Sequence, residues 1–340
     1  MSVETEMQNT ISAMVQKGKG IIAIDESLPT IAKRFKPIGV ESTEETRRSW
    51  RNTILTTAHL GDHISGAILF EETLLQKSDD GTLLAEVAEK NGIVPGIKVD
   101  KGKVPLVNAP GDLVTQGLDG LAERLDTYKS QGARFAKWRE VYPISDNIPT
   151  QLGIDANAEV LARYAAICQS VGIVPIVEPE VLIDGDHTIE RCFEVVVAVQ
   201  HAVYHALHRY KVILEYSILK PSMVTPGKDH ANKAVPEEIA EQTVRALRRS
   251  VPAAVPSINF LSGGQTAEEA TANLNAMNNL FPGEPWELSF SYGRALQQPA
   301  LHAWNGKPEN IKQAQDALFK RARLNGAARL GAYQSSMEKE

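Results

Sequence analysis

The sequence predicts an α/β fold, a parallel TIM (β/α)8 barrel with an N-terminal helix and additional C-terminal helices. Three observations carry this. Eight short β-branched runs alternate with longer helical patterns. The residues closing or following most of these runs are charged or small and polar, as at a barrel mouth. No internal linker interrupts the 340 residues, so residues 1–340 are taken as one domain.

The elements follow in order. Val3 to Gln16 carries Met7, Ile11, Met14 and Val15 at helical spacing, and Gly18 and Gly20 end it. The strand-like runs are Ile21–Ile24, Gly66–Phe70, Val94–Val99, Arg134–Trp138, Ile173–Val177, Val212–Leu219, Ser257–Leu261 and Trp286–Phe290. Between them lie helical patterns such as Ile154–Cys168, with Ile154, Ala158, Leu161, Ala165 and Cys168 on one face. Two final helical patterns near Pro308–Asn325 are expected to pack outside the barrel.

Composition narrows the function. A net charge of −6 argues against general affinity for nucleic acid, so any anionic ligand needs a local basic cluster. No signal peptide, lipidation box or membrane-length apolar run is visible, which makes a reducing cytoplasm the expected setting. Cys168 and Cys192 sit in helical patterns and read as reduced thiols.

The polar strand ends carry the chemistry. Asp25, Glu26 and Ser27 follow the first run, and Lys98 and Asp100 lie at the third. Lys137 and Arg139 close the fourth, Glu178 and Glu180 follow the fifth, and Lys220 closes the sixth. Side chains two apart on a strand share a face, so these pairs converge if they face the barrel axis. A solvated rim of ion pairs is the bland alternative, but so many polar strand ends are hard to obtain by chance.

Lys220 is the sharpest residue. It ends an apolar run and Pro221 stops the strand after it. Partial desolvation and a nearby cation such as Lys137 both favour the neutral, nucleophilic amine. Such an amine adds to a ketone and, after loss of water, leaves an iminium that serves as an electron sink. Asp25, Glu178 and Glu180 supply carboxylates for the accompanying proton transfers. Ser262-Gly263-Gly264 and Ser291-Tyr292-Gly293-Arg294 suit a phosphate, since glycines let backbone N–H groups approach an anion and helices start nearby. Ser27, Thr30, Lys98 and Arg139 form a second candidate phosphate pocket, and two pockets imply a bisphosphorylated substrate.

At these residues the chain resembles a class I fructose-1,6-bisphosphate aldolase. The stretches are GKGIIAIDES at 18–27, GIKVDKG at 96–102, FAKWR at 135–139, GIVPIVEPE at 172–180, LKPSMVTPG at 219–227, FLSGGQ at 260–265 and SFSYGRALQ at 289–297. The resemblance implies Lys220 as the Schiff-base lysine, Glu178 as the acid/base of the carbinolamine steps, and Asp25 as acceptor of the hydroxyl proton. It implies Lys137 and Glu180 as tuning groups. Ser262, Gly263, Arg294 and Arg34 match one phosphate site, and Ser27, Thr30, Lys98 and Arg139 the other. It further implies reversible cleavage of fructose 1,6-bisphosphate into dihydroxyacetone phosphate and glyceraldehyde 3-phosphate in glycolysis and gluconeogenesis. No cofactor or metal is implied, and the family is usually tetrameric.

Three positions depart from the family. Eukaryotic members have a tail tyrosine that helps proton exchange, and Tyr333 does not match it. Tyr216 stands where a glycine is common, and strand alternation points it inward with Lys220. Leu28-Pro29 replaces Thr-Gly beside the second phosphate pocket.

Other readings compete. LSGGQ at 261–265 also occurs in ABC-type ATPases, but the G-x-x-x-x-G-K-[ST] loop they need is missing. His201, His205 and His208 share a helix face, but no carboxylate pattern accompanies them as a metal site requires. Transaldolase chemistry fits a two-phosphate layout poorly. Preference for sedoheptulose 1,7-bisphosphate stays open, and a non-catalytic binding protein is disfavoured by the presence of Asp25, Glu178 and Lys220 together.

Overall fold

A computed structural model describes residues 2–340. Its strands are β1 (Gly20–Ile24), β2 (Ile64–Leu69), β3 (Val94–Lys98), β4 (Lys103–Pro105), β5 (Leu113–Thr115), β6 (Phe135–Tyr142), β7 (Val174–Val181), β8 (Ile218–Leu219), β9 (Ser257–Phe260) and β10 (Glu287–Tyr292). The helices are α1 (Val3–Met14), α2 (Leu28–Phe35), α3 (Glu44–Leu55), α4 (Glu71–Leu75), α5 (Leu84–Lys90), α6 (Leu121–Ser130), α7 (Gln151–Ser170), α8 (Ile189–Arg209), α9 (Pro236–Ser250), α10 (Ala267–Leu280), α11 (Arg294–Trp304) and α12 (Ile311–Arg329). Eight strands close a barrel in the order β1-β10-β9-β8-β7-β6-β3-β2, with each neighbouring pair parallel. Strands β4 and β5 form a separate antiparallel hairpin, which the sequence did not signal.

All eight expected runs become barrel strands, but their ends differ. β6 and β7 run on to Tyr142 and Val181, so Lys137, Arg139, Glu178 and Glu180 lie inside strands and not beyond them. β8 shrinks to Ile218–Leu219, preceded by a 3₁₀ turn at Leu214–Tyr216. Gln169 of α7 explains this: its side-chain amide bonds Ile213 N, Ile213 O and Tyr216 O, taking backbone groups that a strand ladder would have used. Tyr216 therefore does not share a strand with Lys220. It is half-buried against the floor of the barrel. The two expected C-terminal helices are one 3₁₀ turn, Pro308–Asn310, running into the single helix α12.

The barrel interior is layered. Ile21, Ala23, Ile68, Phe135, Val174, Ile176 and Ile218 form an apolar layer, and Met7, Ile11 and Met14 of α1 pack with it. Each fully buried large side chain of this kind contributes about 1.5–3 kcal/mol. The Phe135 ring needs room from its neighbours: a Cβ on Gly96 would come within 2.3 Å of it. Alternation then lifts the next inward residues to a polar layer. Asp25 stands two beyond Ala23, Lys98 two beyond Gly96, Lys137 two beyond Phe135, Glu178 two beyond Ile176, and Lys220 two beyond Ile218.

Candidate active site

Four side chains in this layer form a chain of alternating charge. Lys137 Nζ is 2.7 Å from Asp25 Oδ2 and 3.1 Å from Glu178 Oε2, and Lys220 Nζ is 3.1 Å from Glu178 Oε1. Lys137, Glu178 and Lys220 are each about 4% exposed at the side chain. The Lys137 contact to Glu178 has ion-pair distance but not hydrogen-bond alignment, leaving Glu178 Oε2 free to bond elsewhere.

Burial opposes the charge on Asp25, but Lys137, Lys220 and Lys98 outweigh it and hold its carboxyl at about 2. Glu178 is likewise pulled down: burial raises it, and Lys137, Lys220 and Arg139 overcome that. Lys137 is desolvated too, but Asp25 and Glu178 raise it well above the usual lysine range. It is a fixed ammonium between two carboxylates. The site thus places one amine, Lys220, against a carboxylate that can hand over or receive a proton, with a second carboxylate on the far side of Lys137.

Two adjoining cavities open above this layer. One, of about 490 Å³, contains Lys220 and Glu178 and is walled by Ser262, Gly263, Gly264, Ser291, Gly293, Arg294 and Arg34. Gly263 and Gly264 have φ of +50° and +94°, and side chains there would crowd Leu261 and Ile183. Their backbone therefore turns in a way L side chains rarely adopt. The Ser291 hydroxyl is buried without a hydrogen-bond partner among the described residues, and Arg294 opens α11. Burial lowers Arg34, Glu26 opposes that, and Arg294 lowers it further. Both guanidiniums line this cavity, an arrangement that suits a dianion.

The second cavity, of about 580 Å³, shares Asp25, Lys137 and Arg139 with the first and adds Ser27, Thr30, Lys98, Lys103 and Thr115. Lys98 Nζ is held 2.8 Å from Asp100 Oδ1. Arg139 Nε donates to Glu180, so that carboxylate is committed to the guanidinium. Ser27 precedes α2 yet makes no side-chain cap, and its hydroxyl lies 3.1 Å from that of Thr30. Pro29 sits in the first turn of α2 and removes one N–H that an anion there would otherwise meet. Every residue that the sequence assigned a catalytic or substrate-binding role lines one of these two cavities.

Other positions lie elsewhere. Tyr333 donates to Glu338 at 3.0 Å, outside both cavities. His201, His205 and His208 are exposed on α8. A larger cavity, about 780 Å³, opens beside α1 and the starts of β3 and β6, away from all of these groups.

Sequence reasoning missed the support behind the site. Glu26 accepts from Gln297 at 2.7 Å and faces Arg51 at 3.1 Å, both buried. Gln297 also donates to Ala23 O at 2.7 Å and accepts from Trp50 at 3.1 Å. It lies one turn beyond Arg294 on α11, so this network ties the end of β1 to the phosphate side. The signals were Glu26 after the first strand and Gln297 within the SFSYGRALQ stretch, neither with a role attached.

The family model described as fructose-bisphosphate aldolase class-I matches residues 6–340. A probable fructose-bisphosphate aldolase class 1 of Xanthomonas campestris is 54% identical over 98% of this chain and 99% of its own length. Fructose-bisphosphate aldolase 6, cytosolic, of Arabidopsis thaliana is 57% identical, covering 93% of this chain and 88% of its own. The solved fructose-bisphosphate aldolase of Plasmodium falciparum, in complex with TRAP and a small-molecule inhibitor, superposes with a TM-score of 0.96. It shares 50% identity, over 98% of this chain and 96% of that one. A lysine-bearing barrel mouth with near full-length likeness to bacterial, plant and protozoan aldolases leaves one assignment, and the chain belongs to the class I fructose-bisphosphate aldolase family.

Proposed function

We propose that residues 1–340 act as one catalytic unit that reversibly cleaves fructose 1,6-bisphosphate through a Schiff base on Lys220. The observation that supports this best is the buried Lys220–Glu178–Lys137–Asp25 chain. In this reading Glu178 takes a proton from Lys220, whose amine attacks the C2 ketone. An amine proton passes to the ketone oxygen to give the carbinolamine, Glu178 returns its proton to the departing hydroxyl, and water leaves to give the iminium. Asp25 takes the C4 hydroxyl proton, the C3–C4 bond breaks, and its electron pair moves into the iminium as an enamine. Glyceraldehyde 3-phosphate departs. Protonation at C3 and hydrolysis then release dihydroxyacetone phosphate and free Lys220.

The two phosphates divide by distance from the ketone. Phosphate on C1 is next to C2, so it belongs in the cavity that contains Lys220, with Ser262, Gly263, Gly264, Ser291, Gly293, Arg294 and Arg34. Phosphate on C6 belongs in the neighbouring cavity with Ser27, Thr30, Lys98 and Arg139. Glu180 holds Arg139 in place for it. Family membership also supports a cytoplasmic homotetramer, checked by sedimentation of the purified chain, where a monomer mass would overturn the tetramer.

The deciding experiment is borohydride trapping. The protein is mixed with dihydroxyacetone phosphate and a metal chelator, reduced, and mapped by peptide mass spectrometry. The expected result is mass on Lys220 with permanent loss of activity. No adduct, or one elsewhere, overturns the mechanism.

A further inference from the structure

Glu140 is a fully buried carboxyl that the proposed reaction does not use. It lies on β6 between Arg139 and Val141, so alternation turns it out of the barrel while Arg139 faces the cavity. There it meets the β4–β5 hairpin. Its Oε2 accepts the backbone N–H of Thr115 at 3.0 Å, and its Oε1 accepts the Trp138 indole N–H at 2.8 Å. Thr115 is tied a second time, its hydroxyl donating to Arg139 O at 2.8 Å. Directly across the hairpin from Thr115 is Lys103. Lys103 and Thr115 both line the cavity that holds Ser27, Thr30, Lys98 and Arg139. Burial first, then the nearby charge of Arg139, lowers the Lys103 amine, while Glu180 and Asp184 raise it. Its amine shares this pocket with the Arg139 guanidinium.

We infer that Lys103 is a further substrate-binding residue, contacting the phosphate farther from the ketone, and that Glu140 is the positioning residue that holds its hairpin over the pocket. This rests on the Schiff-base reading and extends it to a specificity element. A carboxylate is suited to the task because it accepts from two N–H groups at once, linking a strand of the rigid barrel to a short hairpin that has little core of its own. The groups facing Glu140 are Trp138 and Tyr142 on its own strand, Thr115 of the hairpin, and Asp100 beyond β3.

The test compares fructose 1,6-bisphosphate with fructose 1-phosphate, which lacks the distal phosphate, in wild type, Lys103→Ala and Glu140→Gln. Lys103 is mostly exposed, so its contact is worth about a three- to tenfold rise in KM for the bisphosphate, with a much smaller change for the monophosphate. Glu140→Gln keeps the size of the side chain but turns one acceptor into a donor. It is expected to raise the bisphosphate-to-monophosphate KM ratio in the same direction, with kcat for the monophosphate little changed. Hydrogen exchange should rise in a peptide spanning 103–116 and not in barrel strands. Equal effects on both substrates, or an unchanged ratio in both variants, overturn the inference while wild-type trapping on Lys220 leaves the Schiff base standing. If wild type fails to trap, the reaction scheme falls and this inference with it.

Discussion

Asp25 and Glu178 are both held ionised by lysines, yet their partners assign them different work. Asp25 touches Lys137 and not Lys220, whereas Glu178 touches both. Asp25→Asn should therefore still form the trapped adduct with dihydroxyacetone phosphate but lose cleavage of the bisphosphate by a factor of about 10² or more. Lys220→Met should lose both. An Asp25→Asn protein that neither traps nor cleaves would place that carboxylate in the carbinolamine steps instead. Glu140 gives a prediction with a definite sign in pH. Burial pushes its carboxyl up to about 7 from an ordinary 4.5, with Trp138 and Thr115 only partly opposing. Between those values the folded protein holds a proton that the unfolded chain has lost, so this group's stabilisation is full below pH 4.5 and gone above 7. Glu140→Gln does not titrate. Its Tm relative to wild type should rise from pH 5 to pH 8, and a difference that stays constant in calorimetry would contradict the assignment. The same substitution is expected to weaken distal phosphate binding, which separates a positioning role from a merely structural one. Lys220, Lys137 and the glycine loops were legible in the sequence because strand alternation and the motif stretches both point to them. Glu140 was not, since an acidic residue in a strand reads as solvent-facing until the hairpin that covers it is seen.

At the scale of elements, what the sequence showed was the order of strands and what it hid was where each one ends. Periodicity finds apolar runs, but β6 and β7 continue through Arg139, Glu140 and Glu178–Glu180, where charge masks the strand. β8 shows the opposite error, because Gln169 on another element takes its backbone groups. Helix α1 reads correctly as amphipathic, but its destination is set by tertiary packing: Met7, Ile11 and Met14 meet Phe135 and Ile176 inside the barrel. Met14→Ala should cost about 2–5 kcal/mol, the range for truncating a buried methionine. The Met14 carbonyl is also held by the Ser65 hydroxyl at 2.6 Å, so the helix end is pinned and the cavity left behind cannot easily collapse. Denaturant titration reads this directly. A loss under 1 kcal/mol would mean that α1 moves to fill the gap.

Across the whole molecule, the two ends of the chain close the floor of the barrel together, far from the mouth. Arg329 of α12 donates to the carbonyls of Gln16 and Lys19 and pairs with Glu287 at the start of β10. Ser289 of β10 also holds Lys19 O, at 3.0 Å. Helix α12 can lie this close only because residue 326 is glycine: a Cβ there would stand 2.8 Å from Gly18 O and 2.9 Å from His63 Nδ1. The neighbour in the first contact is backbone, which cannot rotate away as a side chain could. Gly326→Ala should thus push α12 off the floor, strain the Arg329 bonds and cost about 1–3 kcal/mol. The polar layer is separated from this seam by the apolar layer of Phe135, Ile176 and Ile218, and a close-packed core does not deform continuously. KM and kcat at 25 °C should therefore match wild type while the thermal midpoint falls. A variant that loses activity in step with stability would show that the floor and mouth of this barrel are coupled, and that the helices closing its base also help to set the geometry of Lys220.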